Sequence, residues 1–214
     1  MKTKTTLILV SLVILASITA AVLVYDQLPD PMASHWNAKD EVDGYTSKFW
    51  GTFLLPIVTA GLLALLLVIP HIDPLKENIA EFRGIFNAFI LVMALFMTYV
   101  WALTIVWNLK PETFKFGSAL LPAMGLLFIF LGYMIRNAKQ NWFVGIRTPW
   151  TLSSDRVWKE THRIGGSLYM ISGAITIFGI FFGVQAVWFV LVPILGTTIF
   201  LYIYSYALYQ GEEK

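Results

Sequence analysis

Apolar residues along the chain fall into six runs, covering residues 5–25, 49–69, 85–107, 118–135, 165–184 and 187–209. Each is close to the roughly 20 residues a helix needs to cross a hydrocarbon core. No Asp, Glu, Lys, Arg or His lies within any of them. Backbone amides in lipid must bond within their own segment or in a closed barrel. The period-two alternation of a barrel is missing, so the runs predict helices. The expectation is an all-α membrane protein of six transmembrane helices. Its polar breaks divide it into a first hairpin (1–70, with a loop at 26–48), a second hairpin (71–136), a polar segment (137–164), and a third hairpin with a C-terminal tail (165–214). Leu54-Leu55-Pro56, Leu120-Leu121-Pro122 and Leu191-Val192-Pro193 recur near the starts of the even-numbered runs. Three repeated helical hairpins would produce that pattern, and so would the ordinary preference of proline for early helix positions.

Composition agrees with this reading. A mean hydropathy of +0.70, with 57% hydrophobic and 13% charged residues, leaves too little polar surface for a soluble domain. Net charge is only +2, so the distribution of charge is more telling than its sum. With the N-terminus inside, eleven Lys and Arg fall on the inner side, Lys214 among them. Only Lys39, Lys48, Lys110 and Lys115 fall outside. By the positive-inside rule both termini are cytoplasmic and the 137–164 segment faces the cytoplasm. The basic start of the first run resembles a signal peptide, but its apolar stretch is longer than usual, which favours a retained helix. Tyr25, Trp36, Trp50, Trp107 and Trp188 mark the outer interface, and Trp142, Trp150 and Trp158 the inner one. Cysteine is absent, which removes disulfides, thiolate metal sites and cysteine nucleophiles.

Two polar segments could carry chemistry. The acidic outer loop 26–48 contains Met32-Ala33-Ser34-His35-Trp36, readable as a short strand, and Asp43-Gly44, readable as a tight turn. His35, Asn37, Asp40 and Asp43 could meet a cationic peptide or a divalent ion, although solvated loop charges are the simpler account, and no metal or cofactor is expected. Asp73-Pro74 reads as a helix start. In the inner segment Pro149 forces Thr148 to extended angles, leaving Arg147 in an irregular loop beside Trp142 and Trp150, free to stack on an indole or hold a phosphate. Ser153-Ser154-Asp155 offers N-caps for a short amphipathic helix ending near Arg163, with Trp158 and His162 on one face. That helix reads as a membrane-surface anchor, or as a docking platform for a cytoplasmic protein. Gly165, Gly166, Gly173, Gly179 and Gly183 suit close helix packing. No catalytic motif is present. The candidate pairs His71/Asp73 and Arg147/His162 lack an accompanying nucleophile, so an enzyme is not expected.

The block Asn141 to Arg163, with Gly145, Arg147, Thr148, Pro149, Thr151, Trp158, Thr161, His162 and Arg163 in order, resembles the signature of the SdpI-type bacteriocin-immunity membrane proteins. The outer loop, with Leu28-Pro29, His35-Trp36-Asn37 and Asp43-Gly44-Tyr45, is similar to the small domain of unknown function that often precedes it. The resemblance implies a six-helix plasma-membrane protein that protects against a secreted, membrane-active peptide toxin. It also implies a protein able to sequester a transcriptional repressor at its inner face, with no direct contact to nucleic acid. Toxin contact would then fall to His35, Trp36, Asn37, Asp43 and Gly44. Repressor contact would fall to the signature residues Asn141, Gly145, Arg147, Thr148, Pro149, Thr151, Trp158, His162 and Arg163. A transporter or channel is the alternative, although the spans lack the ionisable residues such proteins use for coupling.

Overall fold

The computed structural model describes residues 1–212; Glu213 and Lys214, the latter counted among the inner cations, lie outside the described residues. The elements in order are α1 (Thr3–Val24), β1 (Met32–Trp36), β2 (Val42–Thr46), α2 (Lys48–Ile72), α3 (Lys76–Glu81), α4 (Arg83–Leu109), α5 (Phe116–Asn137), α6 (Pro149–Ser153), α7 (Asp155–Phe178) and α8 (Ala186–Gln210). Among the described residues five helical runs are, by length and composition, able to cross a membrane, the last being Asp155–Gln210. That 56-residue run is no single rod. At Gly183 the backbone adopts φ 53°, ψ −124°, and the chain folds back there. Ser172 meets Thr197 at 3.2 Å and Tyr169 meets Thr198 at 3.3 Å, so α7 and α8 pack as antiparallel arms.

Large apolar side chains cover the outside of the bundle, Leu15 at 61% and Val192 at 62% exposed among them. This is the arrangement a lipid-facing surface requires, where burial elsewhere would have no driving force. Two cores lie inside. One joins Val10, Leu63, Ile79, Phe86, Ile90 and Trp158 toward the end that holds the 137–164 segment. The other joins Ala21, Leu28, Met32, Trp101 and Ile105 at the opposite end.

Two prolines inside helices, Pro56 and Pro193, explain contacts between helices. A proline removes the N–H that would bond the carbonyl four residues back. Pro56 thereby frees Thr52 C=O, and the buried Trp101 indole on α4 donates to that oxygen at 2.9 Å. Pro193 frees Phe189 C=O, which accepts from Thr176 Oγ1 on α7 at 3.3 Å. Beside Pro122, Ala119 C=O accepts from the Tyr99 hydroxyl on α4 at 2.9 Å. All three recurrent prolines therefore sit inside helices, and Pro56 and Pro193 each open a carbonyl toward a neighbour.

Glycines set the closest pair, α5 against α7. A Cβ on Gly132 would lie 2.5 Å from Gly166 O, and one on Gly166 would lie 2.6 Å from Gly132 O. Gly125 and Gly173 repeat this one step along, at 2.6 and 2.5 Å. Gly166 and Gly173 are among the glycines expected to allow close approach, whereas a Cβ on Gly183 would meet nothing, and that glycine serves as the bend.

Several sequence expectations need correction. The outer loop departs from an all-α fold, because β1 pairs antiparallel with β2. The hairpin turns at Asn37–Glu41, where Asn37 Oδ1 accepts from Lys39 N–H and Glu41 N–H, and Asp43-Gly44 belongs to β2. The helix expected to end near Arg163 runs unbroken to Phe178. Its apolar face packs inward, with Val157, Trp158, Thr161 and His162 buried, so it does not lie as a separate element on the membrane surface. Trp158, placed above in an interfacial belt, is thus a core residue.

Candidate functional site

The signature segment is built around one amide. Asn141 is fully buried, and its Oδ1 accepts from Phe143 N–H at 2.9 Å and Val144 N–H at 2.6 Å. Its Nδ2 donates to Lys139 C=O and Val144 C=O, both at 2.8 Å. A side chain with two donors and two lone pairs is thereby used in full, and it coils residues 139–144 into a compact turn.

Gly145 follows at φ +123°, a conformation that L side chains rarely adopt. A Cβ there would collide with His162 Nε2 and crowd the Trp158 ring at 3.1 Å. The missing side chain lets the backbone come down onto the imidazole, and Ile146 N–H donates to His162 Nε2 at 3.0 Å. Nε2 must then be the unprotonated nitrogen, and Nδ1–H donates to Trp158 C=O at 2.8 Å. The imidazole stacks on the Trp158 ring at a centroid distance of 3.8 Å, and the indole N–H donates to Ala138 C=O at 2.9 Å. Trp158 and His162, four apart on α7, clamp both ends of the loop.

Thr148 and Thr151 complete it. Thr148 is extended at φ −108°, ψ 163°, as a residue before proline must be, and it caps α6. Each threonine's hydroxyl receives the other's backbone N–H, a reciprocal capping box with Pro149 in the first helical position. Thr151 Oγ1 also donates to Ile146 C=O at 2.8 Å, and Thr148 Oγ1 lies 3.1 Å from Ser205 Oγ on α8. Arg147 is exposed and does not stack on an indole; its Nη1 donates to Trp142 C=O at 2.6 Å. Arg163 is also exposed and pairs with Glu160 at 2.7 Å.

The structure therefore sorts the candidate residues. Asn141, Thr148, Thr151, Trp158 and His162 are buried and hold the loop in shape. Exposed surface comes from Arg147, Pro149 and Arg163, together with Trp142 and Phe143. Sequence reasoning missed the supports. Asp73, only 2% exposed, ends α2; its Oδ1 accepts from Leu75 N–H and its Oδ2 from Trp142 N–H at 2.9 Å. Gln140 donates to Thr151 C=O and Leu152 C=O, and Asn78 donates to Gln140 C=O. Asp73, read above as the start of the next helix, instead holds the C-cap position of α2 while α3 begins at Lys76, and its partner 69 residues away was not legible.

At the opposite end the hairpin is docked by Asn108 of α4, which accepts from Ala33 N–H and donates to Ala33 C=O. His35 and Asp43 face each other across the strands, and Gly44 leaves room for the His35 Cβ. Asp40, at φ 63°, turns away from that pair and accepts from Gly117 N–H at the start of α5. Trp36 stacks on Phe116 at 3.9 Å and meets Trp107 edge-on at 5.4 Å. Cavities of about 450 and 410 Å³ flank the hairpin, with Trp36, Asp40 and Gly117 lining both. Among the described residues no group of three His, Asp or Glu side chains is placed to hold a metal ion.

Residues 12–60 match a domain of unknown function, DUF1648, and residues 137–205 match the SdpI/YfhL protein family. No solved structure matches the chain. The Thr148–Ser205 contact closes the second match on itself, joining its signature loop to the end of α8. Over 200 residues, 93% of this chain and 93% of the relative, the chain is 24% identical to the immunity protein SdpI of Bacillus subtilis (strain 168). The resemblance read from the Asn141–Arg163 block thus extends along nearly the whole chain, with the SdpI/YfhL match over the signature and the DUF1648 match before it.

Proposed function

We propose that this chain is a non-enzymatic immunity protein of the plasma membrane, protecting its cell against a secreted, membrane-active peptide toxin. The observation that carries this reading is similarity to an immunity protein across 93% of both chains. The bias of Lys and Arg toward the 137–164 end supports a cytoplasmic placement of that end and of both termini. The hairpin end then faces outward. Its two cavities offer aromatic and aliphatic walls beside the carboxylate of Asp40, a chemistry suited to an amphipathic cationic peptide. At the inner end, the exposed Trp142, Phe143, Arg147 and Arg163 form the surface on which a transcriptional repressor would be held.

Survival of a toxin-sensitive host expressing the chain tests this reading. Wild type should protect, and a Trp36→Ala/Asp40→Asn variant at matched membrane level should lose protection by at least an order of magnitude in survivors. Arg147→Ala should keep protection while losing recruitment of a repressor to the membrane. Failure of the wild type against the peptide toxins of its own community would overturn the immunity reading. Lost protection in Arg147→Ala, at unchanged level, would move toxin action to the inner loop.

A further inference from the structure

A polar cavity of about 470 Å³ opens at the inner end between α3, the end of α5 and the first turns of α7. Trp158 and His162 form its floor, and Arg136, Lys139 and Lys159 stand on its walls with Glu81 and Asp155. The signature chemistry does not use it. Both ring nitrogens of His162 and the indole N–H of Trp158 are engaged within the fold, and Arg147 lies elsewhere.

Cations outnumber carboxylates in the cavity, three to two, and among the described residues only one of the cations is paired. Lys139 pairs with Glu81 at 3.2 Å. Arg136 and Lys159 have no carboxylate within 4.0 Å among the described residues. Packing brings these two together. Gly166 has no side chain, so the Arg136 Cβ sits where a Gly166 Cβ would have been, 2.5 Å from that position. Lys159 lies two turns before Gly166 on the same face of α7. The glycine seam therefore fixes an Arg and a Lys on facing walls of one concavity. Both line the same concavity, above Trp158 and His162, where a planar guanidinium and an ammonium can share one tetrahedral oxyanion.

We propose that this cavity binds a phosphate group, that of an anionic phospholipid headgroup or of a soluble phosphate compound. The cavity lies where α5 leaves its apolar run, the depth at which headgroup phosphates sit. Asn78 and Asn137 line it as well and can complete the set of donors.

The test uses the full chain in detergent micelles holding equal phosphatidylglycerol and phosphatidylcholine, with bound lipid read by native mass spectrometry. A second arm reads the melting temperature in millimolar inorganic phosphate against chloride at equal ionic strength. Wild type should enrich phosphatidylglycerol, and Arg136→Gln/Lys159→Gln should weaken that enrichment roughly tenfold. Lys110→Gln/Lys115→Gln, at the far end, should leave it unchanged. Glu81→Gln, which releases Lys139 from its pair, should raise it. Enrichment lost in the Arg136/Lys159 variant identifies the lipid as the source. No lipid preference, but a melting shift with phosphate that only wild type shows, identifies a soluble compound. Equal behaviour of wild type and the Arg136/Lys159 variant in both arms overturns the proposal. Both side chains are exposed, so the substitutions do not threaten the fold.

Discussion

At the scale of single residues, the signature is a set of mutually dependent hydrogen bonds, and its most exacting member is a glycine. Gly145 must hold φ +123° and must leave its Cβ position to the His162 ring. Gly145→Ala should therefore cost about 2 kcal/mol or more, from backbone strain and displacement of the imidazole. His162→Ala leaves Ile146 N–H without an acceptor and unstacks Trp158, for about 2–4 kcal/mol. Arg147→Ala removes one bond at an exposed site and should cost less than about 1 kcal/mol. Thermal unfolding of the purified protein, beside limited proteolysis of the 138–148 loop, checks the ranking. An Arg147 variant as unstable as the His162 variant would make Arg147 a structural residue and remove it from the proposed docking surface.

At the scale of elements, the helices pair through exceptions to helical regularity. Trp101→Phe removes the donor from the carbonyl that Pro56 leaves open, between two buried residues. The cost should be about 1–3 kcal/mol. Pro56→Ala restores an N–H within α2 to bond Thr52 C=O, so it should recover part of that loss in the Trp101→Phe background. Non-additivity in this double-mutant cycle, read by reversible denaturation in detergent, is the expected result; additive effects would mean the indole bond is idle. Gly132→Leu should separate α5 from α7 and destabilise more than Gly196→Leu, since nothing lies within 4 Å of a Gly196 Cβ. These pairings also show what was legible in the sequence. Apolar runs without charge announce helices, and Thr148 before Pro149 announces an extended residue, because each is a local property. β1 was readable for the same reason. Its partner β2 was not, because Asp43-Gly44 looks like a turn unless the Asn37 amide is known to close one earlier. That Trp101 answers Pro56, or that Gly132 faces Gly166, depends on which helices become neighbours, and no local pattern states it.

At the scale of the whole molecule, the question is how often the chain crosses the bilayer, and the bend at Gly183 bears on it most directly. The last 56-residue helical run would be far longer than a hydrocarbon core if straight, about 1.5 Å per residue against roughly 30 Å. The bend makes α7 and α8 two arms of spanning length and returns the chain end to the side of the signature loop, where Arg156 approaches Glu212. Because the chain has no cysteine, single introduced thiols report cleanly on this path. In intact cells, Lys39→Cys, Lys115→Cys and Val184→Cys should react with a membrane-impermeant maleimide, Val184 being exposed beside the bend. Lys139→Cys and Lys159→Cys should react only after the membrane is opened. Protection of Val184→Cys together with labelling of Lys159→Cys in intact cells would reverse the orientation. Protection of Val184→Cys while Lys115→Cys still labels would leave the last run folded back within the membrane or at its inner face. Gly183→Ala supplies the energetic counterpart. At φ 53°, ψ −124° an alanine is strained by about 1–3 kcal/mol with no neighbour to relieve it. If the bend joins two crossings, that substitution should slow hairpin insertion and lower the level of protein in the membrane without altering any residue of the loop that carries the signature.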